Sequence, residues 1–195
     1  QSAGQSAPRT GIAASAGGTS ALQFALRHPD RCSRLVLVSS TAPSETSVAM
    51  PPRPVVAAMF GSDFLFWLLT THARRLLMPV IGVPKGYTPT PADQTAIDDA
   101  MKTLLPVSPR ARGAVHDLYV SNPDVNSGYP LEAIEVPTLV IGAVDDPLAD
   151  CAAMQAMVTR MPNARMLTVE RGGHMLLGDE GRVPMEIQEF LCDVG

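Results

Sequence analysis

Cysteine is scarce in this chain: Cys32, Cys151 and Cys192 are far apart, odd in number and without CxxC spacing. A disulfide framework and a zinc site are therefore excluded as organising features, and no metal or other cofactor is expected. Aromatic residues make up 5% and charged residues 17% of the 195 positions. Set beside 46% hydrophobic residues, so little charge rules out a disordered, fibrous or coiled-coil chain and predicts a folded domain. Such a domain buries roughly 70% of the surface its unfolded chain exposes. Basic clusters are missing as well, since 15 Lys and Arg stand against 19 Asp and Glu for a formal net charge of -4. No nucleic-acid partner is expected.

The opening QSAGQSAPRTG has neither the basic start nor the apolar core of a signal peptide, so a cytoplasmic location is the expectation. The greasiest stretch, PVVAAMFGSDFLFWLL from Pro54 to Leu69, is interrupted by Gly61, Ser62 and Asp63. It falls short of the ~18 uninterrupted apolar residues of a membrane span and predicts a buried or substrate-facing helical hairpin.

Strand and helix signals alternate at both ends of the chain. Ile12–Ala14 finishes a strand, Gly17 and Gly18 allow a sharp turn, and Leu22, Ala25 and Leu26 recur at helical spacing until Pro29. Leu35–Ser40 is a continuous β-prone run of the kind buried in a parallel sheet. Residues 43–136 carry no strand signal, but Phe64–Leu69, Ala92–Leu105 (opened by Asp93) and Arg110–Val120 (capped by Ser108 and Pro109) read as helices. This block, with the only Trp, predicts a mobile helical lid whose apolar pocket wall includes Phe64 and Trp67. After Pro137 come a strand at Thr138–Val144, the acidic turn DDPLAD and a helix at Ala152–Met161. A strand at Arg165–Glu170, the turn RGGH and a helix at Val183–Leu191 complete the order. Three segments follow: 1–42 and 137–195 as an α/β core, 43–136 as its lid.

Three positions could carry chemistry. Ser15 stands where a strand turns abruptly into a helix, with the small Ala13 two before and Gly17 two after, which lets a nucleophile project above a sheet. The helix start aims N–H groups, that of Ala16 among them, at the same place, where they favour charge on a carbonyl oxygen. A Gly- and Ala-rich turn can equally be plain structure. Asp145 and Asp146 follow an apolar strand, where α/β proteins keep their chemistry, although acidic residues also cap helices, as Asp150 is expected to do. Pro147 holds the preceding residue extended and favours Asp146 over Asp145 as the acid. His174 sits in a glycine turn from which it can reach a serine and be oriented by a carboxylate. His28, His72 and His116 read as surface, cap or core histidines.

Taken together, the order Ser, Asp, His, each beyond a strand with a lid between the first two, resembles the α/β-hydrolase family. ASAGGTSALQFALRHPDRCSRLVLVSS is similar to that family's nucleophile elbow, PTLVIGAVDDPLAD to its acid loop and ERGGHMLLG to its histidine loop. The resemblance implies a mostly parallel α/β fold, partial or reduced, and a triad of Ser15, Asp146 and His174. It also implies an oxyanion donor at Ala16 N–H. Ala13 replaces the family's usual Gly, and Gly142-Ala143 its usual His-Gly. The strands expected before the elbow are not in the sequence, which implies a fragment of a longer protein or a reduced domain, and a second copy or an N-terminal segment completing the sheet. A serine at the elbow, with an apolar lid and few aromatics, implies a small-molecule ester substrate of small or medium acyl size. Amides, carbon–carbon bonds, perhydrolysis or a non-catalytic hydrolase-like domain are the alternatives.

Overall fold

Leu35, Val36 and Leu37 are consecutive and all buried in strand β2, which requires cover on both faces of the sheet. A computed structural model, describing residues 9–44 and 51–193, supplies that cover. Strands β1 (Arg9–Ala14), β2 (Cys32–Val38), β3 (Thr138–Ala143) and β4 (Ala164–Val169) form one sheet in chain order. Every neighbouring pair is parallel. Ala14 lies opposite Val38, Val38 opposite Ile141 and Ala143 opposite Val169, so the carboxyl ends share one rim.

Helix α1 (Gly17–Arg27) links β1 to β2, and the described chain between β2 and β3 contains no strand. It folds as α2 (Arg53–Gly61), α3 (Asp63–His72), α4 (Arg74–Leu77), α5 (Pro91–Leu104), α6 (Ala111–His116) and α7 (Asn122–Asp124), the last two joined by a π turn at Asp117–Ser121. Helix α8 (Cys151–Arg160) links β3 to β4, and α9 (Arg182–Cys192) ends the described chain.

Alternation along the strands assigns each helix to a face. Leu35, Leu37 and Val140 point to one side, where Leu22 and Ala25 of α1 meet Met154, Met157 and Val158 of α8. Val36, Leu139, Ile141 and Leu167 point to the other, under Val183 and Phe190 of α9. Full burial of one such aliphatic side chain contributes about 1.5–3 kcal/mol. Asp150 caps α8, its Oδ1 accepting from Ala152 N–H at 2.9 Å and Ala153 N–H at 3.3 Å.

Several local expectations need correction. The apolar run of α2 and α3 is a bent pair, 94° apart, with only Val56 and Phe66 buried, so it is not a buried hairpin. Among the described residues no single helix is long and apolar enough to cross a membrane. Ser108 does not cap α6: its hydroxyl donates to Asp63 Oδ2 at 2.7 Å, and its N–H and that of Val107 donate to Asp63 Oδ1. Helix α5 is capped by Thr90, in a capping box with Asp93. The short Asp side chain takes the place usually held by Glu or Gln.

Candidate active site

The turn after β1 forces Ser15 into the left-handed region, at φ 52. A non-glycine residue held there is strained, and such strain collects where the surrounding structure fixes a functional geometry. Here Ser15 N–H donates to Val38 O at 3.0 Å and Ser15 O accepts from Gly18 N–H at 3.1 Å, leaving Ala16 N–H outside the turn's own bonds. No side chain caps α1. Ala13 fits within this turn, half-buried. Gly18 has no alternative, because a Cβ there would lie 2.6 Å from Ser40 Cβ, two residues beyond β2.

Beyond β3, Asp146 is locked in place. Its Oδ1 accepts from Leu148 N–H at 2.8 Å and Ala149 N–H at 3.0 Å, and its Oδ2 lies 2.9 Å from His174 Nδ1. The side chain has no solvent exposure, while that of His174 keeps 15%. A carboxylate can only accept, so a ring proton is on Nδ1, and in the neutral ring Nε2 carries the lone pair. That Nε2 is sealed from solvent and makes no hydrogen bond. The structure therefore joins Asp146 to His174 but does not form the Ser15–His174 hydrogen bond. Catalytic hydrogen bonds are often loose without substrate.

Asp145 turns the other way. It accepts from Gly173 N–H at 2.8 Å and Gly172 N–H at 3.3 Å, tying the acid loop to the backbone of the histidine loop. Gly142 has a packing reason of its own: the Met154 methyl group occupies the space a side chain there would need.

The histidine loop is also held from the helical insertion, by groups the sequence did not mark as part of the site. Gly82 O accepts from His174 N–H at 2.9 Å. Asp93, buried, accepts from Gly178 N–H at 2.8 Å through Oδ1 and from Thr90 N–H, Thr90 Oγ1 and Tyr87 Oη through Oδ2. Burial pushes the Asp93 carboxyl up, but these bonds outweigh it and hold it below its ordinary value. Loss of solvent, then the bond to Asp93 and the charges of Asp93 and Asp145, push the Tyr87 hydroxyl up to about 12. The T-x-x-D spacing of the capping box was readable; its reach to Gly178, 85 residues away, was not.

The remaining histidines have other surroundings. His28 ends α1 against the Phe24 ring, His72 stands edge-on to Trp67, and His116 Nδ1 lies 2.9 Å from Ser121 Oγ. Phe64 and Trp67 contact each other but are 68% and 46% exposed. Neither lines the cleft of about 440 Å³ between Phe60, Leu104 and Ala114, nor that of about 550 Å³ beside Asp146, Leu148 and Gln155. Among the described residues no group of three His, Cys, Asp or Glu side chains could hold a metal ion, and all three cysteines are free.

A strained serine elbow, an acid loop and a histidine loop on the rim of a parallel sheet define a hydrolase-like α/β scaffold, and comparison with known proteins supplies the family. The model of the alpha/beta hydrolase fold family matches residues 7–181, and the chain belongs to that family. It is 30% identical over 180 residues to the poly(3-hydroxyalkanoate) depolymerase of Ectopseudomonas oleovorans, covering 92% of this chain and 59% of that protein. It is 28% identical over 167 residues to the pimeloyl-[acyl-carrier protein] methyl ester esterase of Aromatoleum aromaticum, covering 82% of this chain and 64% of the relative. The chain thus spans about three fifths of the length of these curated relatives. Among solved structures, a thermophilic esterase from Thermogutta terrifontis superposes with a TM-score of 0.64 at 20% identity, over 95% of this chain and 65% of that one.

Proposed function

We propose that this protein hydrolyses carboxylic esters of small or medium acyl size, with Ser15 as nucleophile, His174 as general base and Asp146 as the acid that orients it. The single observation that carries the reading is the Asp146–His174 hydrogen bond, which fixes the ring so that Nε2 is left as an acceptor. In the first step Ser15 Oγ bonds to the ester carbonyl carbon while its proton passes to Nε2. Ala16 N–H stabilises the oxyanion, and His174 then returns the proton to the leaving alkoxide as the ester C–O bond breaks. Water repeats the sequence against the acyl-enzyme and releases the acid. Two relatives are named a poly(3-hydroxyalkanoate) depolymerase and a methyl ester esterase, which supports ester chemistry.

One observation favours a second reading. With Nε2 unpaired, the chain could also be a hydrolase-like binding domain without turnover. A series of p-nitrophenyl esters of increasing chain length separates the two. Hydrolysis that favours short or medium chains and disappears in Ser15→Ala and His174→Ala supports the esterase reading. Absence of turnover across the series, with the protein folded, supports the binding domain.

A further inference from the structure

The helical insertion is joined to the histidine loop by a set of contacts unrelated to acyl binding. Gly82, at φ 85, lies so close to His174 that a Cβ on it would fall onto His174 Cβ, and Gly173 is equally close to Gly82 O and the Pro84 ring. Immediately behind, Val83, Ile97, Met101 and Leu177 form a small buried cluster shared by the insertion and the loop. Asp93 closes the far end. It is a buried carboxylate with no cation on it, taking four N–H and O–H donors, one of them Gly178 N–H of the histidine loop. The loop from His174 to Gly178 is thereby gripped at both ends by residues 82–93.

We infer that Asp93 is a positioning residue of the active site: through Gly178 N–H it sets the histidine loop, which Gly82 holds at His174, and so fixes the ring against Asp146. This rests on the esterase reading given above. The physical demand is for two acceptor oxygens facing opposite sets of donors. Asparagine cannot meet it, because its NH₂ would face either Gly178 N–H or Thr90 N–H, and one donor would lose its partner. The loop would then relax by a fraction of an ångström or more, and a displacement of about 1 Å at a catalytic group costs on the order of a hundredfold in rate. The insertion therefore aligns the catalytic base in addition to covering it.

The test compares Asp93→Asn, Asp93→Glu and the exposed control Asp99→Asn with the unmodified full chain. Two readouts are used: kcat and KM on a p-nitrophenyl ester, and the low-field proton resonance of His174 Nδ1, assigned by its loss in Asp146→Asn. Expected for Asp93→Asn is a kcat lowered about 10- to 100-fold with KM within about twofold, a shifted or broadened Nδ1 resonance, and a circular dichroism spectrum still folded. Asp99→Asn should match the unmodified chain in both readouts. A folded Asp93→Asn with normal kcat and an unmoved resonance would overturn the inference. Should Asp93→Asn fail to fold, Asp93→Glu carries the test, because it keeps the charge and suits the capping box but displaces the oxygens by a methylene from Gly178 N–H, and a normal resonance there overturns the inference equally. Activity that survives Ser15→Ala would instead reject the serine mechanism. The resonance needs no turnover and then decides the inference alone.

Discussion

Asp146 Oδ2 and His174 Nδ1 lie 2.9 Å apart although 28 residues separate them, on loops leaving the adjacent strands β3 and β4. Asp145, its immediate neighbour, has its carboxylate on the backbone N–H groups of Gly172 and Gly173 instead. A turn at Val144–Asp145, closed by Asp146 N–H donating to Ala143 O at 3.3 Å, separates the two carboxylates, so adjacent aspartates serve different partners.

Substituting each in turn should separate the two roles. Asp146→Asn is expected to lower kcat by about 10⁴-fold with the fold retained, by analogy with triads whose orienting acid is made an amide. Asp145→Asn should cost far less in kcat and show itself mainly as a lower unfolding temperature. Steady-state kinetics beside thermal melts checks both, and the reverse ranking would transfer the acid's role to Asp145.

The close approach of α1 to β2 gives a stability prediction. An added methyl in Gly18→Ala would press on Ser40 Cβ, an atom bonded directly to the backbone that cannot swing away. Overpacking of this kind costs about 1–3 kcal/mol. Leu22→Ala on the same helix removes a fully buried side chain and should cost about 2–5 kcal/mol. Urea unfolding midpoints at constant slope measure both.

Asp93 also predicts a pH dependence. Its folded pKa is lowered, so it contributes stability that is present above its ordinary value of 3.8 and lost as pH falls through the folded value. Asp93→Asn should be less stable than the unmodified chain at pH 7, with the gap narrowing between about pH 5 and pH 3. A gap that stays constant over this range would show that the carboxylate's charge contributes nothing.

Trp67 is the only tryptophan, so its fluorescence reports one site. At 46% exposure it should emit at long wavelength and be quenched by acrylamide. Blue-shifted, unquenched emission would mean that another part of the protein covers it.

The strands and the helices packed on them were legible because each depends on a short local pattern. Leu35–Val38 is too uniformly apolar for an exposed strand, and Met154, Met157 and Val158 share one stripe of α8. The turns at Ser15, at Asp145-Asp146 and at Gly172-Gly173 were legible for the same reason, since each is a few residues of turn chemistry beside a strand. The insertion was harder to read. Its apolar run looks buried by composition, yet Val55, Phe64 and Leu68 are exposed, because hydrophobicity alone does not say which face of a short bent helix meets the core. Ser108 looked like a cap but serves Asp63, 45 residues earlier. Gly82 and Asp93 left no local signal of their role because it exists only once the insertion has folded back onto residues 173–178.

In the proposed mechanism Ser15 is the nucleophile and His174 activates it. Intact-mass analysis after reaction with a serine-directed phosphonate tests it most directly. One adduct should form, mapped by peptide sequencing to Ser15, absent from Ser15→Ala and strongly slowed in His174→Ala. Labelling that persists in Ser15→Ala, or maps to any other serine, would contradict the assignment.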